Sequence, residues 1–225
     1  MSVAGAKTLD SGLRILWLLA EHPDGLPIGA LATRLGLDRN AVRRMLAALR
    51  EGRLVARTEA GYQLGLGVVE LGMSVRSRLR AAADVALHQL AGACGATAFL
   101  TSLDGDARPP EAVVVAVVEP AHSFVHVAYR VGLRHPADHG ASGIAILAGR
   151  PAQAGERAEV DQARRRGYAV TSGELQVGAW GLAAPVAGGD TSVGVVSIGE
   201  LEEAATARRV CAAAAEVAAL LPARR

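Results

Sequence analysis

The stretch Ile28-Gly29-Ala30-Leu31-Ala32-Thr33-Arg34-Leu35-Gly36-Leu37-Asp38-Arg39-Asn40-Ala41-Val42-Arg43-Arg44-Met45-Leu46-Ala47-Ala48-Leu49-Arg50-Glu51-Gly52 decides how the amino-terminal part of this chain folds. Leu31 and Leu35 at helical spacing mark a short helix over about Ile28 to Leu35. Gly36 can take the positive φ that a sharp helix end requires. Asp38 then supplies an N-cap for a second helix that runs to Glu51 and stops at Gly52. At about 100° per residue, Ala41, Val42, Met45, Ala48 and Leu49 fall in one arc with Leu46 at its edge. Arg39, Asn40, Arg43, Arg44, Ala47 and Arg50 share the opposite arc. A short helix, a glycine turn and a helix with a cationic outer face predict a helix-turn-helix whose second member enters the DNA major groove.

The residue types suit that task. Arg pairs bidentately with guanine and Asn with adenine, and a helix start favours phosphate. Arg39, Asn40 and Arg43 lie near the helix start, where base edges are in reach. Arg44, at the margin of the arc, and Arg50, further along, fit phosphate contacts. From Arg34 to Arg57 seven arginines face two acids, Asp38 and Glu51, a local balance of +5 on a chain whose net charge is only +2. Such concentration is the footprint of a phosphate-binding surface, although a basic helix face can also be merely solvated.

Outward from this core, Leu13, Ile15, Leu16, Trp17, Leu18 and Leu19 predict a preceding helix over Leu9 to Ala20. Thr8 or Asp10 is its expected cap, and His22-Pro23-Asp24-Gly25 stops it. On the other side, Leu54-Val55-Ala56-Arg57 and Tyr62-Gln63-Leu64 flank Thr58-Glu59-Ala60-Gly61, which predicts a hairpin. A hairpin directly after a helix-turn-helix is the wing of a winged helix. It would set Arg57 and Arg53 against backbone phosphate, positioning the protein without reading sequence. Leu66 to Ala93 is helical in pattern, and Gly65, Gly67 and Gly72 suggest a linker helix not rigidly tied to the wing. Its apolar face suits either a dimer contact or packing on a second domain.

The expected domains are therefore a winged helix-turn-helix over 1–65, a linker helix over 66–93 and a second domain over 94–225. In the last, strands are expected at Ala96–Leu103, Ala112–Glu119, Ser123–Arg130, Tyr168–Ser172, Leu182–Val186 and Val193–Ile198. Helices are expected at Ser142–Leu147, Glu156–Arg166 and Glu202–Leu221, with a loop through Gly132–Pro136. Hairpin-length connections imply an α+β domain on an antiparallel sheet.

Composition sets the outer bounds. With 225 residues and 51% hydrophobic content a sizeable core is assured, but at 3% aromatics it must be filled by Ala and aliphatic side chains. No apolar stretch approaches the roughly 20 residues that span a bilayer, and no leader pattern opens the chain. A cytoplasmic protein is expected. Cys94 and Cys211 form no metal or redox motif. His122 and His126 would lie about 13 Å apart on one strand face, too far to share an ion. His135, Asp138 and His139 could approach one another, yet no cysteine accompanies them. Asp138, His139 and Ser142 contain the residue types of a nucleophilic triad without a nucleophile elbow. Neither a metal, a cofactor nor an enzyme activity is expected.

The whole chain resembles the isocitrate lyase regulator (IclR) family of bacterial transcription factors. In the first domain the likeness rests on Leu13 to Ala20, Leu31 to Leu37, Arg44 with Leu46, and Tyr62 to Gly65. In the second it rests on Gly132 to Leu147, Arg166 to Val170, Gly178 and Ala183 to Val186. It implies a winged helix, a GAF-like effector domain, and dimers or dimers of dimers on palindromic double-stranded operators, as in a repressor. Carried over by position, the effector site would comprise Ala141, Ser142, Thr171, Gly181, Ser197 and Gly199. This chain departs from the family where Thr171 replaces a frequent Asp, Gly181 a Cys and Gly199 a Ser. Ile144 and Asp138 replace a common Lys and His, and the stretch from Leu147 to Glu156 is short. Those lining residues offer hydroxyls and no matched cation, which suits a more apolar ligand or none. The alternatives are a second domain used only for dimerisation, or a small-molecule or metal sensor acting through protein contacts.

Overall fold

The apolar amino-terminal stretch folds as α1 (Lys7–Ala20) in a computed structural model that describes residues 6–105, 107, 109–121, 127, 129–188 and 190–221. The helix starts earlier than its leucine pattern indicates. Its N-cap is Ala6, which has no capping side chain, so Thr8 and Asp10 lie inside the helix rather than capping it. Asp10 still sits in the first turn, where a negative charge suits the helix dipole. α2 (Ile28–Leu35) ends at Gly36 with φ 65°, the left-handed turn that glycine adopts without strain. α3 (Arg39–Glu51) begins on Asp38, whose side chain accepts from the backbone N–H groups of Asn40 and Ala41.

β1 (Val55–Arg57) and β2 (Tyr62–Leu64) form the antiparallel hairpin, with Val55 opposite Leu64. Leu26 adds a bridge to Tyr62, so the chain between α1 and α2 is stitched to the wing. Ile15, Leu19, Leu31, Val42, Met45, Leu46 and Val55 form one buried core. Leu46, at the edge of the apolar arc of α3, is fully buried with Val42 and Met45, while Ala48 is exposed.

The stretch expected as one linker helix is two helices, α4 (Gly67–Ser74) and α5 (Ser77–Cys94). Val75 is extended and Arg76 takes a left-handed φ of 50°, so the break falls where no glycine announces it. Gly65 and Gly67 do not loosen the junction with the wing. Their N–H groups donate to Leu54 O at 2.8 Å and Arg53 O at 2.9 Å. A Cβ on Gly65 would lie 2.2 Å from Arg53 O, so these glycines permit close backbone packing. The chain forms two compact units, residues 1–75 and 76–225. α4 thus belongs to the first and α5 to the second.

In the second unit a six-stranded antiparallel sheet has the order β5 (Arg134–Pro136), β4 (Glu111–Val118), β3 (Thr97–Asp104), β8 (Thr191–Ile198), β7 (Ala179–Pro185), β6 (Ala169–Ser172). β5 was expected as loop. It is a three-residue edge strand with His135 opposite Ala112, and Arg134 is held by Glu111 at 2.6 Å and by Asp104. The strand expected over Ser123–Arg130 falls largely outside the described residues, as do His122 and His126; Val127 and Tyr129 are described, and both are buried.

Strand alternation sends side chains to two faces. Leu100, Leu182, Val193 and Val195 pack with α5 and α8 (Glu203–Ala219). Phe99, Val114, Ala183 and Val196 pack with α6 (Gly140–Ala148) and α7 (Ala158–Arg166). The sheet is therefore covered on both faces, and the site described below lies on the α6 side.

Candidate DNA-binding helix and ligand cavity

On α3 the side chains of Arg39, Asn40, Arg43, Arg44 and Arg50 are all exposed. Asn40 and Arg43 form a local pair, with Arg43 Nη1 donating to Asn40 Oδ1 at 3.3 Å. The two groups able to read base edges thus hold each other in one place on the outer arc. Arg39 turns back over α2: a Cβ on Gly29 would come within 2.5 Å of its Nη2. The small residue at 29 leaves room for that guanidinium beside the start of α2. Arg50 lies in the last turn of α3. Arg57 ends β1 opposite Tyr62 and is exposed.

Arg44 departs from the other arginines. It lines a groove of about 850 Å³ between α1 and α3, beside Leu9, Leu13, Ala41, Ala48 and Leu54. Arg53, expected against phosphate, donates from Nη1 to Glu70 Oε1 at 3.0 Å, so its charge is matched within the unit.

In the second unit a cavity of about 190 Å³ opens between the sheet and α6. Ala141, Ser142, Thr171 and Gly181 line it. Thr171 and Gly181 are cross-strand partners, which explains why positions ten apart in sequence meet there. Ser197 and Gly199 are not on its wall. Val196 fills that position, so by alternation its neighbour Ser197 belongs to the opposite face, beside Trp180, and its hydroxyl donates to Gly199 O at 2.8 Å. Gly199 lies past the end of β8.

The sequence pattern did not mark Phe99, Val127, Tyr129, Leu133, Val196 or the run Glu174-Leu175-Gln176 as cavity lining. The strand period could have placed Phe99, which faces away from Ala98 and Leu100. Glu174 carries no such signal, being a turn acid between Gly173 and Gly178.

The polar wall is wired internally. His135 Nδ1 lies 3.0 Å from Pro136 O, which can only accept, so that nitrogen carries the proton. Burial holds the His135 imidazole below its ordinary pKa, so Nε2 is a free acceptor for Ser142 Oγ at 3.0 Å. Ser142, donating there, accepts from Tyr129 Oη at 3.5 Å. Burial also pushes the Tyr129 phenol up. Tyr129 is therefore a neutral phenol whose ring stands 5.0 Å from that of Phe99. At the start of α6, Gly140 N–H donates to Glu174 Oε2 at 2.9 Å and Ala141 N–H to Thr171 Oγ1 at 3.1 Å.

Ser142 pairs with His135, not with His139, which instead contacts Asp138 at 2.7 Å. His139 donating to Asp138 holds that carboxyl below its usual range. Among the described residues no three His, Cys, Asp or Glu groups gather as a metal site would need, and no helix is long and apolar enough to cross a membrane.

A winged helix with an exposed cationic recognition helix, followed by a double-faced antiparallel sheet with an internal cavity, defines the two-domain class of helix-turn-helix proteins. Residues 8–59 match the family model described as the IclR helix-turn-helix domain. The chain is 31% identical over 156 residues to the HTH-type transcriptional regulator Rv1719 of Mycobacterium tuberculosis. That match covers 68% of this chain and 58% of the relative, so the chain spans little more than half the length of this curated protein.

Among solved structures, an IclR transcriptional regulator from Alicyclobacillus acidocaldarius shares the fold with a TM-score of 0.75 at 24% identity, covering 98% of this chain and 99% of that one. An IclR homologue from Microbacterium hydrocarbonoxydans, solved in complex with 4-hydroxybenzoate, has a TM-score of 0.74 at 19% identity, covering 87% of this chain and 90% of that one. The chain belongs to the IclR family of helix-turn-helix regulators.

Proposed function

We propose that this chain is a sequence-specific DNA-binding transcriptional regulator of the bacterial cytoplasm, acting as a dimer or dimer of dimers on palindromic operators, with a second unit that binds a small-molecule effector. The observation that carries the reading is the outer arc of α3, where an Asp38-capped helix start presents Asn40 and Arg43 together. Asn40, Arg43 and Arg39 read base edges or the phosphates beside them, while Arg44, Arg50 and Arg57 contact phosphate.

The effector reading is supported by the cavity on the α6 side and by the Microbacterium homologue that binds 4-hydroxybenzoate. The cavity is smaller than the usual several hundred Å³ of a ligand site, which favours a second reading in which this unit only holds copies together.

The test of the DNA-binding reading is a mobility shift with promoter fragments flanking the chain's own gene. Arg43→Ala with Arg44→Ala should abolish the shift while circular dichroism stays unchanged. An unaltered shift would remove α3 as the recognition element. Affinity that is insensitive to salt would point to protein contacts instead.

A further inference from the structure

The start of a helix with free N–H groups is a ready site for an anion. In this chain the start of α6 is already filled from within. Gly140 N–H donates to the Glu174 carboxylate at 2.9 Å, and Arg157 Nη1 donates to the same side chain at 2.5 Å. Ala141 N–H is taken by Thr171. Arg157 also holds Asp138 O at 2.7 Å, which fixes the cation away from the cavity. Glu174 therefore stands where a ligand's own carboxylate would seek its donors. Leu175 beside it covers Gly140, where a Cβ would meet its Cδ1 at 2.4 Å.

An incoming anion must either displace Glu174 from both partners or sit beside a like charge in a partly desolvated wall. Both are unfavourable. Another polar group on the wall is of the opposite kind. The order of donation along His135, Ser142 and Tyr129 leaves the Tyr129 oxygen with acceptor capacity on a cavity wall that also carries Phe99, Val127, Leu133, Leu175 and Val196, with Gln176 beside Leu175. The 190 Å³ available equals the share of about six waters in the liquid, room for one ring and a short substituent.

We propose that the cavity selects a small uncharged ligand, one ring or its aliphatic equivalent bearing a hydroxyl donor, and that Glu174 excludes carboxylates by acting as a built-in anion. This rests on the effector reading above and names the ligand class of that site.

Benzyl alcohol and benzoate, alike in size, separate the possibilities when titrated calorimetrically into the full chain. The wild type should bind the alcohol at least about tenfold more tightly, a difference equivalent to one hydrogen bond. Glu174→Gln, which keeps an acceptor for Gly140 and removes the charge, should narrow or invert that preference by about tenfold or more. Tyr129→Phe should weaken the alcohol by about tenfold and leave toluene unchanged. Equal binding of alcohol and benzoate by the wild type overturns the proposal, as does a preference that Glu174→Gln leaves unchanged. If neither alcohol, benzoate nor toluene binds to the wild type or to Glu174→Gln, the effector reading itself falls.

Discussion

The Asp38 carboxylate accepts the backbone N–H of Asn40 at 2.8 Å and that of Ala41 at 3.1 Å. It thereby ties off the end of α3 from which Arg39 and Asn40 project. Asp38→Ala should cost about 1 kcal/mol of stability, the usual worth of an N-cap. It should also loosen operator binding, because the first turn then frays. Asp38→Ser should recover most of both losses. Urea unfolding and a mobility shift on the same samples check this; an Ala variant with wild-type affinity would show that the cap does not serve recognition.

Gly65 and Gly67 fix how closely α4 approaches the wing, and Gly72 does not. A Cβ on Gly65 would meet Arg53 O at 2.2 Å, whereas at Gly72 nothing lies within 4 Å. Gly65→Ala should lower stability by roughly 1–3 kcal/mol through forced backbone movement. Gly72→Ala, inside α4, should be neutral or stabilise by up to about 1 kcal/mol. Thermal unfolding of the two variants side by side gives opposite signs if the packing is as described.

What was readable in the sequence follows this contrast. The turn from α2 into α3 was legible because each step has its own local chemistry: leucines at helical spacing, a left-handed Gly36, a capping Asp38. The break between α4 and α5 was not, because it is made by Arg76 in a conformation that only its surroundings impose. Thr171 and Gly181 could be placed in the cavity, whereas Ser197 faces the other way because a one-residue difference on a strand changes the face. Glu174 was invisible for a different reason: its partners Gly140 and Arg157 are brought to it by the tertiary fold alone.

Salt dependence should sort the cationic side chains. Arg57→Ala on the wing and Arg50→Ala in the last turn of α3 should each weaken binding to all sequences alike and reduce the log–log salt slope by about 1. Asn40→Ala should instead leave the slope nearly unchanged and relax preference at one base pair, at about 1–3 kcal/mol of discrimination. Arg53→Ala, removing a cation already paired with Glu70, should move neither quantity much. Titrations at several salt concentrations on operator and scrambled DNA distinguish the three behaviours.

The buried His135 makes the second unit sensitive to acid. Its folded pKa lies below the ordinary 6.5, because burial disfavours the imidazolium. The unfolded chain therefore binds the proton more readily as pH falls. Stability from this group is complete above pH 6.5 and is lost as pH drops through the folded value. The unfolding midpoint should fall between pH 7 and pH 5, and His135→Gln should flatten that dependence. Ser142→Ala should cost about 1–3 kcal/mol at neutral pH by leaving His135 Nε2 and Tyr129 Oη short of a partner. A proton titration of His135 followed by NMR that gives a pKa at or above 6.5 would contradict the buried, neutral imidazole.

Leu9, Leu13 and Trp17 recur every four residues along α1 and are 65%, 49% and 72% exposed. A row of large apolar side chains on one helix face is a candidate contact surface. If this face pairs two copies in the proposed dimer, it should set the spacing of their α3 helices on one operator. Leu13→Lys with Trp17→Lys places charges on that face without touching the core formed by Ile15 and Leu19. The double variant should retain its thermal midpoint and its affinity for a single half-site. Its preference for the palindrome over the half-site should fall by at least about tenfold, since the two sites no longer act as one linked pair. Sedimentation of the free protein and titration on both DNAs provide the measurement. A variant that keeps the full palindrome preference would assign the pairing of copies to the second unit alone.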